Sequence, residues 1–227
     1  MNKNSLNKPT VSLAICNFNR EKYLRRAVQS CLSQNVIRRH IEVIVVDDAS
    51  TDSSCNIINE FSGELKIIRH KKNLGIGAAS SSALAASSGE YFIRVDSDDY
   101  ISSELISTFA PVLDYNEDID FVYGDLKRID QNGKVAGRIF ANTDEVLKQH
   151  GAGILFRKKT LLDVGGYNAS LRNSEDFELL TRLFKHNSIG FHLPVPLYRY
   201  HASEDNLSEN IEKRSEIESA VRKKYDI

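Results

Sequence analysis

The chain has no tryptophan, a single methionine and four prolines in 227 residues, and its three cysteines leave an odd count. Cys16, Cys31 and Cys55 show no paired spacing. That excludes a disulfide framework and leads to the expectation of free thiols in a reducing compartment. Net charge is scarce as well: 30 Lys and Arg face 31 Asp and Glu, a formal −1, which excludes a general nucleic-acid binder. No apolar run approaches the ~18 residues of a membrane span. Residues 1–9 are polar and lack the apolar core of a signal peptide. These absences lead to the expectation of a cytoplasmic protein, compatible with peripheral contact at the inner face of a membrane.

What is present is an alternation. Val11 to Ile15 is apolar and ends at Cys16-Asn17-Phe18-Asn19. Tyr23, Leu24, Ala27, Val28, Cys31 and Leu32 then form one helical stripe over residues 21–34. Val43-Ile44-Val45-Val46 is a run of successive apolar residues, as in a parallel strand covered on both faces. It ends at Asp47-Asp48, and a helix is expected near 53–61 with Asp52 at its start. Residues 65–68 and 91–95 read as strands, and the Ala/Ser-rich residues 76–87 as a helix that can lie close on a sheet. Strand and helix in alternation predict a parallel sheet with right-handed crossovers, whose ligands bind beyond the carboxyl ends of the strands. Three expected strands end in polar or acidic clusters: 17–19, 47–48 and 96–99. The second half predicts a helix over 103–116 with a kink at Pro111, a hairpin turning at Gln131-Asn132-Gly133, a short helix closed by Gly165-Gly166, a helix over 175–185 and a charged helical tail.

Asp96-Ser97-Asp98-Asp99 crowds three carboxylates at a strand end. Carboxylates so close resist desolvation and repel one another. A solvated acidic turn tolerates this; so does a divalent cation shared with a phosphorylated ligand, the donor set that magnesium and manganese favour.

These residues together resemble the family 2 glycosyltransferases of the GT-A fold, over most of residues 10–201. The landmarks run in order: Val11 to Arg20, Val45-Val46-Asp47-Asp48-Ala49-Ser50-Thr51-Asp52, Asn73-Leu74-Gly75, Gly89-Glu90-Tyr91, Asp96 to Asp99, Gly165-Gly166-Tyr167 and Glu175-Asp176. The resemblance implies an α/β, Rossmann-like and mostly parallel sheet flanked by helices, with a smaller mixed region on the acceptor side. It implies a tail at 1–9, one domain at 10–205 (nucleotide-binding half 10–100, acceptor half 101–205) and a C-terminal helix at 206–227. It further implies metal-dependent, inverting transfer of one sugar from a nucleotide-sugar, by default a UDP-sugar, to a hydroxyl of a glycan or lipid-linked acceptor.

Carried over position by position, Asp98 resembles the principal ligand of Mn2+ or Mg2+, and Asp96 the partner that reaches the ribose or the metal shell. Asp99 is the weaker candidate beside them. Asp48, with Asp47 behind it, resembles the carboxylate that grips the nucleobase, and each also suits helix capping. Phe18 stands where the family often has Tyr, beside the base. Asp176 resembles the general base, at a helix start that would hold it ionised, with Glu175 in support. His201 falls where some members complete the metal shell or contact phosphate, and Arg199 suits phosphate as well.

Two departures stand out. Ser80-Ser81 replace a common Arg-Asn pair, and serine cannot supply a planar cation. Arg94 lies in an apolar strand and is expected to need a carboxylate partner, Asp47 or Asp48. The absence of tryptophan excludes the Gln-x-x-Arg-Trp motif of processive synthases. The competing expectation is a catalytically weak GT-A module that binds nucleotide-sugar or a protein partner.

Overall fold

The computed structural model of the protein describes residues 10–36, 39–149, 151–201 and 211–226. The expected tail 1–9 and residues 206–210 of the expected C-terminal helix lie outside the described residues. The first half is four strands and three helices in strict alternation: β1 (Val11–Asn17), α1 (Glu21–Leu32), β2 (Ile41–Asp47), α2 (Ser54–Glu60), β3 (Leu65–Arg69), α3 (Ile76–Ala86) and β4 (Tyr91–Asp96). β1 and β2 sit in the middle, covered on both faces, which is why they read as unbroken apolar runs. α1 buries Leu24, Ala27, Val28 and Cys31, the spacing of one helical face. α3 buries Ala78, Ala79 and Ala83, and its small side chains let it lie close to the sheet.

The second half holds β5 (Tyr100–Ile101), α4 (Leu105–Tyr115), β6 (Phe121–Ile129), β7 (Val135–Ile139), α5 (Asp144–Gln149), β8 (Leu155–Arg157), α6 (Lys158–Asp163), α7 (Glu175–Lys185), β9 (Gly190–His201) and α8 (Ile211–Tyr225). The order across the sheet is β3-β2-β1-β4-β8-β6-β9-β5, with β7 paired to β6. β3, β2, β1 and β4 are mutually parallel. β8 runs antiparallel between β4 and β6 and joins the two halves into one sheet. Pro111 does not end α4. No helix of the described residues is long and apolar enough to cross a membrane.

Register brings the acidic ends together. Asn17 lies opposite Asp47, and Cys16 opposite Asp96. Two packed layers flank the sheet. One gathers Leu24, Val28, Ile58, Leu105 and Phe109; the other gathers Ala79, Leu84, Tyr167, Leu179 and Leu183. The second layer carries α3 and α7, so it sets what stands over the carboxyl ends of β1 and β4.

One contact fixes α3 to the segment that precedes α7. Gly77 N–H donates to the Leu171 carbonyl (3.1 Å), and a Cβ at Gly77 would lie 2.6 Å from that same oxygen. Helix propensity alone would make Gly77→Ala stabilising by about 1 kcal/mol. The backbone contact reverses the sign, because overpacking against an immovable carbonyl costs about 1–3 kcal/mol. Denaturant unfolding of Gly77→Ala is expected to show that loss of stability.

Candidate active site

The carboxylates at the strand ends fall into two groups. Asp47 is buried and fully engaged by its own chain: Asn17 Nδ2 donates to it at 3.0 Å, Ser50 N–H at 3.3 Å and Cys55 Sγ at 3.4 Å. Asp48 accepts from Leu74 N–H (2.9 Å) and Gly75 N–H (2.7 Å), and it pairs with His70 Nδ1 (2.6 Å). Both therefore hold turns. Asp47 closes the turn after β2, and Asp48 latches the 73–75 loop that leads into α3. Gly75 has φ +95, a conformation that L side chains rarely adopt, and Arg172 reaches back from the acceptor half to Asn73. Asp52 and Glu21 make a reciprocal pair, each accepting from the other segment's backbone: Glu21 N–H to Asp52 at 2.9 Å and Ser53 N–H to Glu21 at 2.7 Å.

Asp99 is buried and accepts the His201 N–H at 2.7 Å. Burial, with the charges of Asp98 and Asp96, raises its carboxyl well above the usual range. His201 is 0% exposed, and its ring lies 4.5 Å from that of Tyr23. Burial lowers its pKa, against the opposing pull of Asp98. The bond to Asp99 uses the His201 backbone, while its imidazole lies against Tyr23 and feels the charge of Asp98.

Asp96, Asp98 and Asp176 form the second group. Asp98 meets Arg20 Nε at 3.2 Å, and its carboxyl is raised by burial and by the charge of Asp96. Asp96 Oδ1 lies 3.1 Å from Arg94 Nε without an aligned hydrogen bond. Its backbone N–H donates to the Tyr198 hydroxyl at 3.1 Å, so β9 is tied to the acidic turn. Phe18, at the end of β1, is 42% exposed at the same edge.

Arg94 does not pair with Asp47 or Asp48 as expected. Its side chain is 3% exposed, and its guanidinium reaches Glu175 (2.7 Å), Asp176 (2.6 Å) and Asp96 (3.1 Å). Asp96 lies two residues on in the same strand; Glu175 and Asp176 come from α7, some eighty positions along the chain, and no local pattern in the sequence signals that part of the pairing. Nη1 also donates to Ser80 Oγ at 3.1 Å. The Ser80 position on α3 thus lies against a planar cation, supplied by β4 instead.

Asp176 keeps 19% of its side-chain surface open. It is the second residue of α7, but the helix terminus does not dominate. Its carboxyl is raised to about 7: burial is the largest cause, Arg94 opposes it, and Glu175 and Asp96 add to it. A carboxylate near neutrality suits proton abstraction. Gly151 packs on it: a Cβ there would stand 2.7 Å from Asp176 Cγ. Ser174, just before α7, holds a left-handed φ of 55 that few non-glycine residues adopt.

The residues suit a divalent cation. Asp96 turns Oδ1 to Arg94 and keeps 31% of its side chain exposed, so Oδ2 is the oxygen a cation would meet, with Asp98 two residues on. Among the described residues no three His, Cys, Asp or Glu side chains already form a cage. One or two carboxylates completed by phosphate oxygens and water is the arrangement magnesium accepts.

Comparison with known proteins bears on this geometry. The family model described as "Glycosyl transferase family 2" matches residues 12–177. A chondroitin synthase of Pasteurella multocida is 27% identical over 193 residues, covering 78% of this chain and 20% of its own. The chain spans 19–28% of the length of three such polysaccharide synthases. Among solved structures, TarS 1–349 of S. aureus in complex with UDP-GlcNAc superposes with a TM-score of 0.78 at 23% identity, over 93% of this chain and 65% of that one. The mannosyltransferase PcManGT of Pyrobaculum calidifontis, in complex with GDP-Man and Mn2+, gives 0.68 at 16% identity, over 88% and 59%. These similarities agree with the GT-A, Rossmann-like architecture described above.

Asp48 offers a direct test. Asp48→Ala would strip two backbone N–H groups and His70 of their acceptor, at about 1–3 kcal/mol for each unsatisfied buried group. A fall of several degrees in melting temperature is expected, with faster hydrogen exchange at Leu74 and Gly75.

Proposed function

The chain belongs to glycosyl transferase family 2, and from that membership we propose that it transfers a single sugar from a UDP-sugar to a hydroxyl of a glycan or lipid-linked acceptor, with inversion and with help from Mn2+ or Mg2+. The observation that carries the proposal is the Asp176 carboxylate, still 19% exposed and anchored at 2.6 Å by Arg94 beside the acidic turn. UDP as donor nucleotide is supported by TarS, whose structure holds UDP-GlcNAc. The metal is supported by PcManGT, whose structure holds Mn2+, and by the carboxylate excess here.

Asp176 takes the proton of the acceptor hydroxyl as it attacks the anomeric carbon. The nucleoside diphosphate leaves from the opposite face, which inverts the configuration. Asp96 and Asp98 would hold the cation, which supplies Lewis-acid stabilisation of the departing diphosphate. Phe18 stacks on the nucleobase with its exposed ring. Asp47 and Asp48 serve as supports of the base pocket, since their bonds go to the turns that form it. His201 acts through Asp99, whose carboxylate its backbone N–H holds. Acceptors enter past Gly151 and the second half of the sheet, at the inner face of a membrane where the acceptor is lipid-linked.

Three outcomes test this. Calorimetric titration with UDP is expected to show tight binding only when Mn2+ is present, and Asp98→Ala to abolish the metal dependence. Asp176→Asn is expected to lower kcat by about 10^2–10^4-fold, the usual contribution of a general base, with UDP affinity kept. UDP binding in neither condition would leave the catalytically weak module as the better account. The pH profile follows from the Asp176 carboxyl at about 7. The base works deprotonated, so kcat/KM should rise about tenfold per unit up to that pH and level off above it.

A further inference from the structure

One side chain touches both groups on which the transfer depends. Arg94 projects from β4, buried, and Tyr167 closes over its guanidinium at 5.7 Å from the ring centroid. The fork of an arginine is planar, and its five N–H directions are fixed relative to one another. Here that one plane meets Asp96, Ser80, Glu175 and Asp176 together. Asp176 gives Oδ2 to Nη2, and it occupies space that a Cβ at residue 151 would fill, which glycine leaves open to it. Among the described residues, no hydrogen bond from the protein occupies Asp176 Oδ1.

We infer that Arg94 is a positioning residue for the transfer: it holds Asp176 by Oδ2 so that Oδ1 faces the acceptor hydroxyl, and it fixes that carboxylate relative to the Asp96 side of the donor pocket. Its loss therefore slows the transfer step and leaves nucleotide binding in place. This rests on Asp176 being the base. The same contacts explain how the chain works with serine on α3: the cation stands on β4, where it serves α7.

Arg94→Met alone would strand three carboxylates and endanger the fold. The informative variants are Arg94→Lys, whose single ammonium cannot span three carboxylates, and Arg94→Met combined with Glu175→Gln, judged against Glu175→Gln. The activity readout is UDP release from whichever of UDP-GlcNAc, UDP-glucose and UDP-galactose the wild type turns over. UDP affinity with Mn2+ and melting temperature are measured alongside. We expect kcat to fall about 10-fold in Arg94→Lys and about 100-fold in the double variant, the scale of an ångström-sized misplacement, while the Kd for UDP stays within about threefold. Wild-type kcat in both variants, with Asp176→Asn inactive, overturns the inference alone. A Kd that weakens in step with kcat and melting temperature also overturns it, since Arg94 would then be holding the fold. An active Asp176→Asn, or a wild type that turns over no donor, defeats the base assignment, and the inference falls with it.

Discussion

A charged side chain in the central part of a sheet has to be paired. Arg94 stands at 3% exposure in β4, between β1 and β8, and an unpaired guanidinium there would be prohibitively costly. Its partners cannot come from neighbouring strands, because Asp47 and Asp48 are already committed to turns. Asp96, two residues on in the same strand, supplies one; the other two come from the start of α7, which must therefore lie across the carboxyl end of β4. The halves of the chain are joined through this pairing as well as through the β4–β8 ladder. Removing one member of such a network leaves an uncompensated buried charge, at about 3–5 kcal/mol, so the position of α7 and the charge of Arg94 depend on each other.

The first half was legible in the sequence because its signals are local. Apolar runs, a helical stripe and acidic strand ends all lie within a dozen residues, and register then brings those ends side by side. β8 was not legible: three residues give no period, and its place between β4 and β6 is a long-range choice. β9 was hidden for another reason. Pro194 and Pro196 interrupt it, and the pairing with β6 shifts between Gly124 and Leu126 to accommodate them. The need of Arg94 for a carboxylate could be read from its place in an apolar strand, but not its pairing with Glu175 and Asp176, which lie on a distant helix.

The candidate residues shared a residue type and differed in surroundings, which composition does not record. Asp47, Asp48 and Asp99 receive backbone N–H groups and so act as fixed parts of turns. Asp96, Asp98 and Asp176 instead meet arginines at the pocket edge. A motif of consecutive acids thus divides by its partners: some carboxylates satisfy backbone N–H groups, and others face arginines.

Charge then constrains the chemistry. Asp96, Asp98, Glu175 and Asp176 face Arg20 and Arg94, an excess of negative charge in a partly buried cleft. A diphosphate would be repelled by this surface if nothing else were bound, since screening is weak in a sheltered pocket. Burial raises the Asp176 carboxyl above the ordinary value, and the charges of Glu175 and Asp96 add to that against the pull of Arg94. A pocket built to grip phosphate by itself would place arginines at its rim; here the two cations are spent on carboxylates. Under the proposed function, such a balance would favour a cation entering with the nucleotide, and the Asp176 carboxyl would share its surroundings with the charges that receive the donor.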